Sequence, residues 1–351
     1  MPDAPILNIT MPVFNRLQST QRVLLALRNQ DRRRRERRVS FCVTVVDNGS
    51  DRDLRAKLVE FRKTGIIDHL FLLPGNLGIS CAANLGWQMV ETPVYMKLDN
   101  DMLPLRPDWP DTLFEIWAHG KPISTLGGAQ SDEEFCAKPG GLETPLGRLG
   151  VCTGTLAGQA MFIPREVTAI LGRWSEDYGL YGAEDGDYGV RMRAAGLPQY
   201  YYLGREFFQD TGREDIAATY TARNLDRARM FRELFVDGSG GTGLFRLNNY
   251  LFAMCIRNWN VPLRYRVADV SKDYRVKVVE REEYEPVRAA LAESKARVDA
   301  KLATGRGEEV YLPEFLDGLR ELWRACGQGC EQYLEARPGL REQGEPLERP
   351  I

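Results

Sequence analysis

No apolar run in this chain approaches the roughly 20 residues that a membrane-spanning helix needs. The longest candidates, "LFLLP" at 70–74 and "YLFAMCI" at 250–256, are far too short. Basic excess is also missing: the formal net charge is −2 and the sequence pI about 6.0, so no global field argues for nucleic acid. The opening residues "MPDAPILNIT" lack a basic stretch followed by an apolar one, so a secretory leader is not expected. Cysteine pairing is absent too. The seven cysteines are an odd number without paired spacing, which predicts reduced thiols in a cytoplasmic protein. Cys326 and Cys330 would share a helix face, but no further Cys or His lies nearby to complete a metal site. No internal repeat is visible.

What remains is ordinary for a soluble globular chain, with 43% hydrophobic and 27% charged residues. Its 351 residues suffice for one large domain with an extension, or for two domains. "PILNITMPV" (5–13) and "VSFCVTVV" (39–46) read as strands, and so do "IDHLFLL" and "PVYMKL". Between them lie helical spacings: Leu17, Val23, Leu24 and Leu27 in one segment, Leu54, Leu58 and Phe61 in the next, then "ISCAANLGWQMVE". Strand and helix alternating in this way predict an α/β fold, Rossmann-like, with a mainly parallel mixed sheet covered by helices on both faces. Ligands bind such sheets beyond the carboxyl ends of the strands. Polar clusters fall at those ends: "FNR" after the first strand, "DNGSD" after the second, "DND" after the fourth.

Each cluster has two readings. Asp99 and Asp101 in "MKLDNDM" would repel each other unless a cation sits between them, and Mg²⁺ or Mn²⁺ takes such carboxylates together with substrate phosphates. A turn is the other reading. Asp47 in "VVDNGSD" could accept from a base N–H or a ribose hydroxyl; alternatively the segment is a strand–turn–helix junction with Asp51 as its N-cap. Asn76, Gly78, Asn84 and Gly86 surround a helix start that suits nucleotide contacts or simply close packing on the sheet. Glu184, Asp185 and Asp187 crowd the first turn of "EDGDYGVRMRAAG". The helix dipole favours anions there, and one of them could equally act as a general base. Trp174, Tyr178 and Tyr181 just upstream are suited to stacking on a sugar or to a core. The basic run "DRRRRERR" (31–38) is a candidate contact for anionic lipid headgroups or an acidic partner, or a solvated loop. Without interleaved aromatics it gives no support to single-stranded nucleic acid.

Taken in order, "MPVFNR", "VVDNGSD", "NLGISCAANLG", "YMKLDNDM", "GQAMFIPREV" and "YGAEDGDYGVRMRAAG" resemble the inverting nucleotide-sugar transferases of glycosyltransferase family 2, with the GT-A fold, over roughly residues 5–212. The resemblance implies that Pro12, Phe14, Asn15 and Arg16 line the nucleotide pocket, that Asp47 contacts the base, and that Asn76, Gly78 and Asn84 border base and ribose. It implies Asp99 near ribose and sugar and Asp101 on a Mn²⁺ or Mg²⁺ ion at the diphosphate. Asp185 is implied as catalytic base, with Glu184 on acceptor or donor hydroxyls, and Gln159 and Gly182 beside the sugar.

Two departures from the family pattern stand out. Relatives often place a histidine after the last strand as a metal ligand; here the stretch is "FFQDTG", leaving Gln209 or, as the harder ligand, Asp210, while His69 and His119 lie elsewhere. The Gln-x-x-Arg-Trp motif of processive synthases is missing, since "LGRW" precedes the base and has no glutamine, so transfer of single sugars is expected. The expected division is a transferase domain over 1–212, a connecting helix and Gly-rich loop over 213–243, and a mainly helical C-terminal extension over 244–351. Expected partners are a nucleoside-diphosphate sugar, UDP-linked by family frequency, and a hydroxyl acceptor on a glycan, lipid-linked carrier or protein. The C-terminal helices are candidates for self-association. A sugar-1-phosphate nucleotidyltransferase and a non-catalytic nucleotide-sugar-binding scaffold are the competing functions. "ITMPVFNRLQS" is not the Gly-rich, Arg- and Lys-bearing phosphate loop that the first of these requires.

Overall fold

A computed structural model describes residues 6–33, 39–119, 125–127, 142–144, 147–152, 156–176, 180, 184–195, 197–202, 207–211, 263–285 and 289. Its centre is a nine-stranded sheet among the described residues. In chain order the strands are β1 (Leu7–Val13), β2 (Phe41–Asp47), β3 (His69–Leu72), β4 (Val94–Leu98), β5 (Met102–Pro104), β6 (Thr125–Gly127), β7 (Leu142–Thr144), β8 (Gly147–Val151), β9 (Ala160–Pro164), β10 (Gln199–Tyr202) and β11 (Phe208–Asp210). The spatial order is β3-β2-β1-β4-β9-β6-β10-β8-β7, and β5 pairs with β11 in a separate ribbon. Strands β3, β2, β1 and β4 are mutually parallel, and β9 runs antiparallel between β4 and β6. From β1 the chain adds β2 and β3 on one side and then crosses to β4 on the other. The crevice at the end of β1 is thus the switch point where such sheets bind ligands.

Strands β1, β2 and β4 are buried along almost their whole length because both faces are covered. On one face Leu7, Ile9, Met11 and Val13 of β1 meet Val43, Val45, Met96 and Leu98. That face is closed by Val23, Leu24 and Leu27 of α1 (Leu17–Arg33), Leu54, Leu58 and Phe61 of α2 (Arg52–Lys63), and Trp109, Leu113 and Ile116 of α4 (Trp109–His119). The other face receives α3 (Ile79–Met89). Here the alternate β1 residues are polar, and Asn8 uses its amide to donate to the Val90 carbonyl at 2.8 Å. Pro12 is buried in β1 without loss of a ladder bond to β4, whose pairing with β1 ends at Thr10–Lys97.

Gly86 is what lets α3 lie this close. A Cβ there would stand 2.4 Å from Thr10 Cγ2 and 3.2 Å from Val46 Cγ2. Alanine improves helix propensity by about 1 kcal/mol, but overpacking a buried, stiff threonine costs about 1–3 kcal/mol. Gly86→Ala is therefore expected to lower the urea midpoint, and Thr10→Ser, which removes the clashing methyl, is expected to recover most of that loss in the double mutant.

Three parts of the fold differ from the sequence expectation. Residues 109–119 form α4, which no motif announced; its apolar spacing closes the same face as α1 and α2. The Gly- and Pro-rich segment 127–155, in which the sequence marks no strand, contributes β7 and β8 to the sheet. Residues 263–285, expected within a helical extension, form an antiparallel hairpin of β12 (Tyr265–Val270) and β13 (Val276–Glu280). Its cause is period-two burial: Tyr265, Val267, Val270, Val276 and Val278 pack on Phe71, Leu73, Cys81 and Leu85. It covers the outer edge of β3, where the Leu72 N–H donates to the Tyr274 carbonyl at 2.8 Å. Buried Glu176 fastens the hairpin's start, accepting from the N–H groups of Arg264 (2.8 Å) and Tyr265 (3.1 Å) and from the Asn84 amide (2.9 Å). The connecting segment 213–243, residues 34–38 of the basic run, and the expected helical extension apart from 263–285 and 289 lie outside the described residues. Among the described residues no helix is long and apolar enough to cross a membrane.

Candidate active site

The turn after β1 is held in an uncommon shape. Asn15 and Arg16 both adopt φ 59, a left-handed conformation that costs side-chain-bearing residues energy and persists only where neighbours enforce it. The enforcement is visible. The Asn15 N–H donates to Ser50 Oγ (2.8 Å), Asn15 Oδ1 accepts from the Asp51 N–H (3.0 Å), and the Asn15 carbonyl accepts from the Asn100 amide (3.3 Å). Phe14 is left exposed at the rim and Arg16 is turned toward Asp101. Behind this turn the loops after β2 and β3 are zipped together. Asn48 donates to Asn76 Oδ1 (2.8 Å) and accepts from the Leu77 N–H (2.8 Å). Gly49, at φ +85, lies so close that a Cβ would stand 2.5 Å from the Gly75 backbone.

Asp47 is completely buried: Oδ2 accepts from Arg55 Nε at 2.7 Å and Oδ1 from the Ser50 N–H at 3.2 Å. Asp51 caps α2 through the Leu54 N–H at 3.0 Å, as the structural reading of "DNGSD" expects. Asn84 also has no exposed surface. Its amide donates to the Trp174 carbonyl and Glu176, and its oxygen accepts from the Trp174 N–H, so it fastens the 174–176 segment to α3. Gly78 is the left-handed residue before α3, and Ile79 N–H already donates to the Leu180 carbonyl at 3.1 Å. Asn76 stays partly open, and its Oδ1 also accepts from the Gly78 N–H.

The two aspartates at the end of β4 do not face each other unrelieved. Lys97 Nζ pairs with Asp99 Oδ1, and Arg16 Nη1 pairs with Asp101 Oδ2. Burial pushes the Asp99 carboxyl up to about 6, with Lys97 pulling it down and Asp101 pushing it further up. Asp101 is raised as well, by burial first, against Arg16 and with a push from Asp210. Asp210 arrives on β11, which pairs with β5 directly after Asp101; the Thr211 N–H and hydroxyl donate to the Asp101 carbonyl at 2.9 and 2.7 Å. Gln209 is exposed. His69 begins β3, at the end of the parallel strands opposite the site.

The second acidic group reaches the same place through β9. Its register with β4 sets Leu98 opposite Ala160, so the preceding turn lies beside Asp99, whose N–H donates to the Gln159 carbonyl at 2.8 Å. One residue earlier, the Gly158 N–H donates to Asp185 Oδ2 at 2.9 Å. A Cβ on Gly158 would stand 2.9 Å from Trp174 and 3.2 Å from the Asp185 Cβ, so glycine permits this approach. Asp185 and Glu184 open α6 (Glu184–Ala194), the helix that follows α5 (Arg165–Leu171). Asp185 is partly accessible, whereas Glu184 is buried and its carboxyl is pushed up to about 7, by desolvation first and then by Asp185. Asp187, the third acid of that turn, is committed elsewhere: it pairs at 2.9 Å with wholly buried Arg191, whose remaining N–H groups reach the carbonyls of Leu171 and Arg173. Tyr178, Tyr181 and Gly182 lie outside the described residues, while Trp174 is core, set edge-on to Trp87.

Lys97, Arg55 and Gly158 belong to this site and were assigned no role from the sequence, although Lys97 lies in "YMKLDNDM" and Gly158 opens "GQAMFIPREV". The first had a signal in the sequence: it is the lone charge inside the otherwise apolar "VYMKL", and it is 2% exposed. Among the described residues no three His, Cys, Asp or Glu side chains gather closely enough to hold a metal by themselves. Asp101 beside Asp210 nevertheless supplies the two hard oxygen donors that suffice when phosphates and water complete the shell.

Residues 8–139 match the model of glycosyl transferase family 2. No curated protein matches the chain. Among solved structures, GalNAc-T7 with UDP, GalNAc and Mn²⁺ is 15% identical with a TM-score of 0.45, over 57% of this chain and 43% of that one. This chain thus spans less than half of that structure's length. The mannosyltransferase PcManGT from Pyrobaculum calidifontis, in complex with GDP-Man and Mn²⁺, is 15% identical with a TM-score of 0.46, over 94% and 88%. S. aureus TarS 1-349 is 13% identical with a TM-score of 0.44, over 69% and 68%. The family match, on a mainly parallel sheet with β9 antiparallel beside β4, identifies the fold as GT-A. The part of this chain that matches glycosyl transferase family 2, residues 8–139, holds β2 to β6 with nearly all of β1, and the Asp99–Asp101 strand end.

Proposed function

We propose that the chain is an inverting, non-processive glycosyltransferase of the hexosyltransferase type. It would move one sugar from a nucleoside diphosphate, UDP being the first to try, to a hydroxyl acceptor of a surface glycan or glycoconjugate. The observation that carries this reading is the turn at 158–159, which joins Asp185 through one residue and Asp99 through the next. Two acidic groups nearly ninety positions apart in the chain thereby flank one crevice.

In this proposal Phe14, Asn15 and Asn76 border the nucleotide, and buried Asp47 acts through Arg55, which it orients. Asp99 faces ribose and sugar hydroxyls. Asp101 and Asp210 hold a Mn²⁺ or Mg²⁺ ion, which would neutralise the charge developing on the departing diphosphate. Asp185 is assigned as base rather than Glu184 because it is the accessible one of the pair. It takes the proton of the incoming hydroxyl as that oxygen bonds to the anomeric carbon and the bond to the diphosphate breaks, its electron pair leaving with the diphosphate. Each Asp185 oxygen accepts one backbone N–H, from Gly158 or Gly186, and keeps a lone pair for that proton. One base and one displacement invert the anomeric centre.

The test is product identity. Nucleotide sugars are screened with Mn²⁺ or Mg²⁺ for thermal stabilisation, and the stabilising one is followed for release. Nucleoside diphosphate supports the proposal, whereas pyrophosphate, or no turnover with any hydroxyl acceptor or water, rejects it. Asp101→Ala is expected to weaken binding of the nucleoside diphosphate with Mn²⁺ by at least about tenfold in calorimetric titration, since a carboxylate–metal contact is worth more than ~1.4 kcal/mol. An unchanged isotherm would remove Asp101 from the metal site.

A further inference from the structure

Lys97 is an expensive residue where it stands. It sits in the middle of the sheet on β4, 2% exposed, and a lone buried ammonium is costly unless paired. The structure supplies partners on two sides. Asp99 Oδ1 takes the ammonium, and the Trp174 ring faces it with Nζ 5.6 Å from the ring centroid. Trp174 is itself fixed by Asn84 and by the edge of Trp87, so the lysine has one place to be. The turn at 158–159 brings Asp185 to the same crevice as Asp99, the partner of this ammonium.

We propose that Lys97 is the positioning residue of the transferase site: it reserves Asp99 for donor hydroxyls, keeping it off the metal, and supplies the fixed positive charge that lets the Asp99–Asp101 and Glu184–Asp185 groups share one crevice. This rests on the transferase reading above, and deepens it by assigning the metal to Asp101 and Asp210 alone. A buried lysine paired with Asp99 acts on it at short range and in low dielectric, where the attraction between unlike charges is stronger than in water.

The test separates charge from packing. Mn²⁺ alone, without donor or acceptor, is titrated into wild type, Lys97→Met, Lys97→Arg and Asp99→Asn, with free Mn²⁺ read by electron paramagnetic resonance. Lys97→Met keeps the volume, removes the charge and frees Asp99, so Mn²⁺ is expected to bind at least about tenfold more tightly than to wild type. Asp99→Asn is expected to bind Mn²⁺ within about twofold of wild type. In turnover Lys97→Met is expected to lose about 10²-fold in kcat with a smaller change in KM, the scale of a small misplacement of reacting groups, and Lys97→Arg to recover most of it. Unaltered Mn²⁺ affinity in Lys97→Met, or no Mn²⁺ binding by any of the proteins, overturns the proposal. So does a loss of tenfold or more in Asp99→Asn, which stays decisive even if Lys97→Met fails to fold. The Mn²⁺ readings need no turnover, so they remain informative where transferase activity itself is not found.

Discussion

Asp185→Asn is expected to lower kcat by about 10²–10⁴-fold, the range over which a positioned general base contributes, while the affinity for nucleoside diphosphate with Mn²⁺ stays within about twofold. The separation follows from geometry. Asp185 stands at the start of α6, on the Gly158 side of the turn, and the loops at 14–16, 48–50 and 75–78, proposed to border the nucleotide, are held by other hydrogen bonds. An asparagine of the same shape can still accept the Gly158 N–H but cannot take a proton. Initial rates of sugar transfer, with calorimetric titration of the diphosphate on the same preparation, check both halves. Turnover near wild type would reject Asp185 as base. A parallel collapse of nucleotide affinity would instead make it a folding or binding residue.

The parallel part of the sheet, β3-β2-β1-β4, was legible because burial on both faces leaves little freedom in composition. β1, β2 and β4 read as strands rich in apolar and β-branched residues, the helices between them repeat at helical spacing, and the polar clusters fall at the strand ends. The hairpin at 265–280 was missed for a physical reason. Its alternation is broken by a register shift between Val267 and Asp269, and charged residues surround it, so its apolar side emerges only against Phe71 and Leu85. In the site, the acidic positions could be seen in the sequence but not their neutralisation. Repulsion between Asp99 and Asp101 called for a cation, and a metal was the inference; the fold answers first with Arg16 and Lys97. Arg16 reaches Asp101 through two consecutive left-handed residues that no spacing rule announces. Asn84 misleads in the opposite direction, because a polar residue near a glycine-rich helix start reads like a ligand contact until its three hydrogen bonds to Trp174 and Glu176 are seen.

Glu184→Gln is expected to stabilise the metal-free protein, and increasingly so as pH rises. The Glu184 carboxyl titrates near 4.5 when exposed and is pushed up to about 7 in the fold, chiefly by loss of water and then by Asp185. Below 4.5 both states hold the proton and the burial costs nothing. Between 4.5 and 7 the unfolded chain has released a proton that the folded one retains, so stability falls as pH climbs; above 7 the folded carboxylate is charged and the whole cost is present. Glutamine does not titrate and has no such slope. Each pH step of one within that window costs the wild type about 1.36 kcal/mol, so the stability gap between variant and wild type should widen by about 2 kcal/mol from pH 5.5 to pH 8, measured by urea unfolding at both. Asp99, pushed up to about 6, slopes the same way in both proteins, and because it and Glu184 repel, loss of the Glu184 charge eases its ionisation and widens the gap in the same direction. A gap that does not change with pH would mean that Glu184 meets compensating charge in the fold and carries no strain. A widening gap, together with loss of transfer, would show the chain keeping a buried acid at a cost in stability because the site needs it.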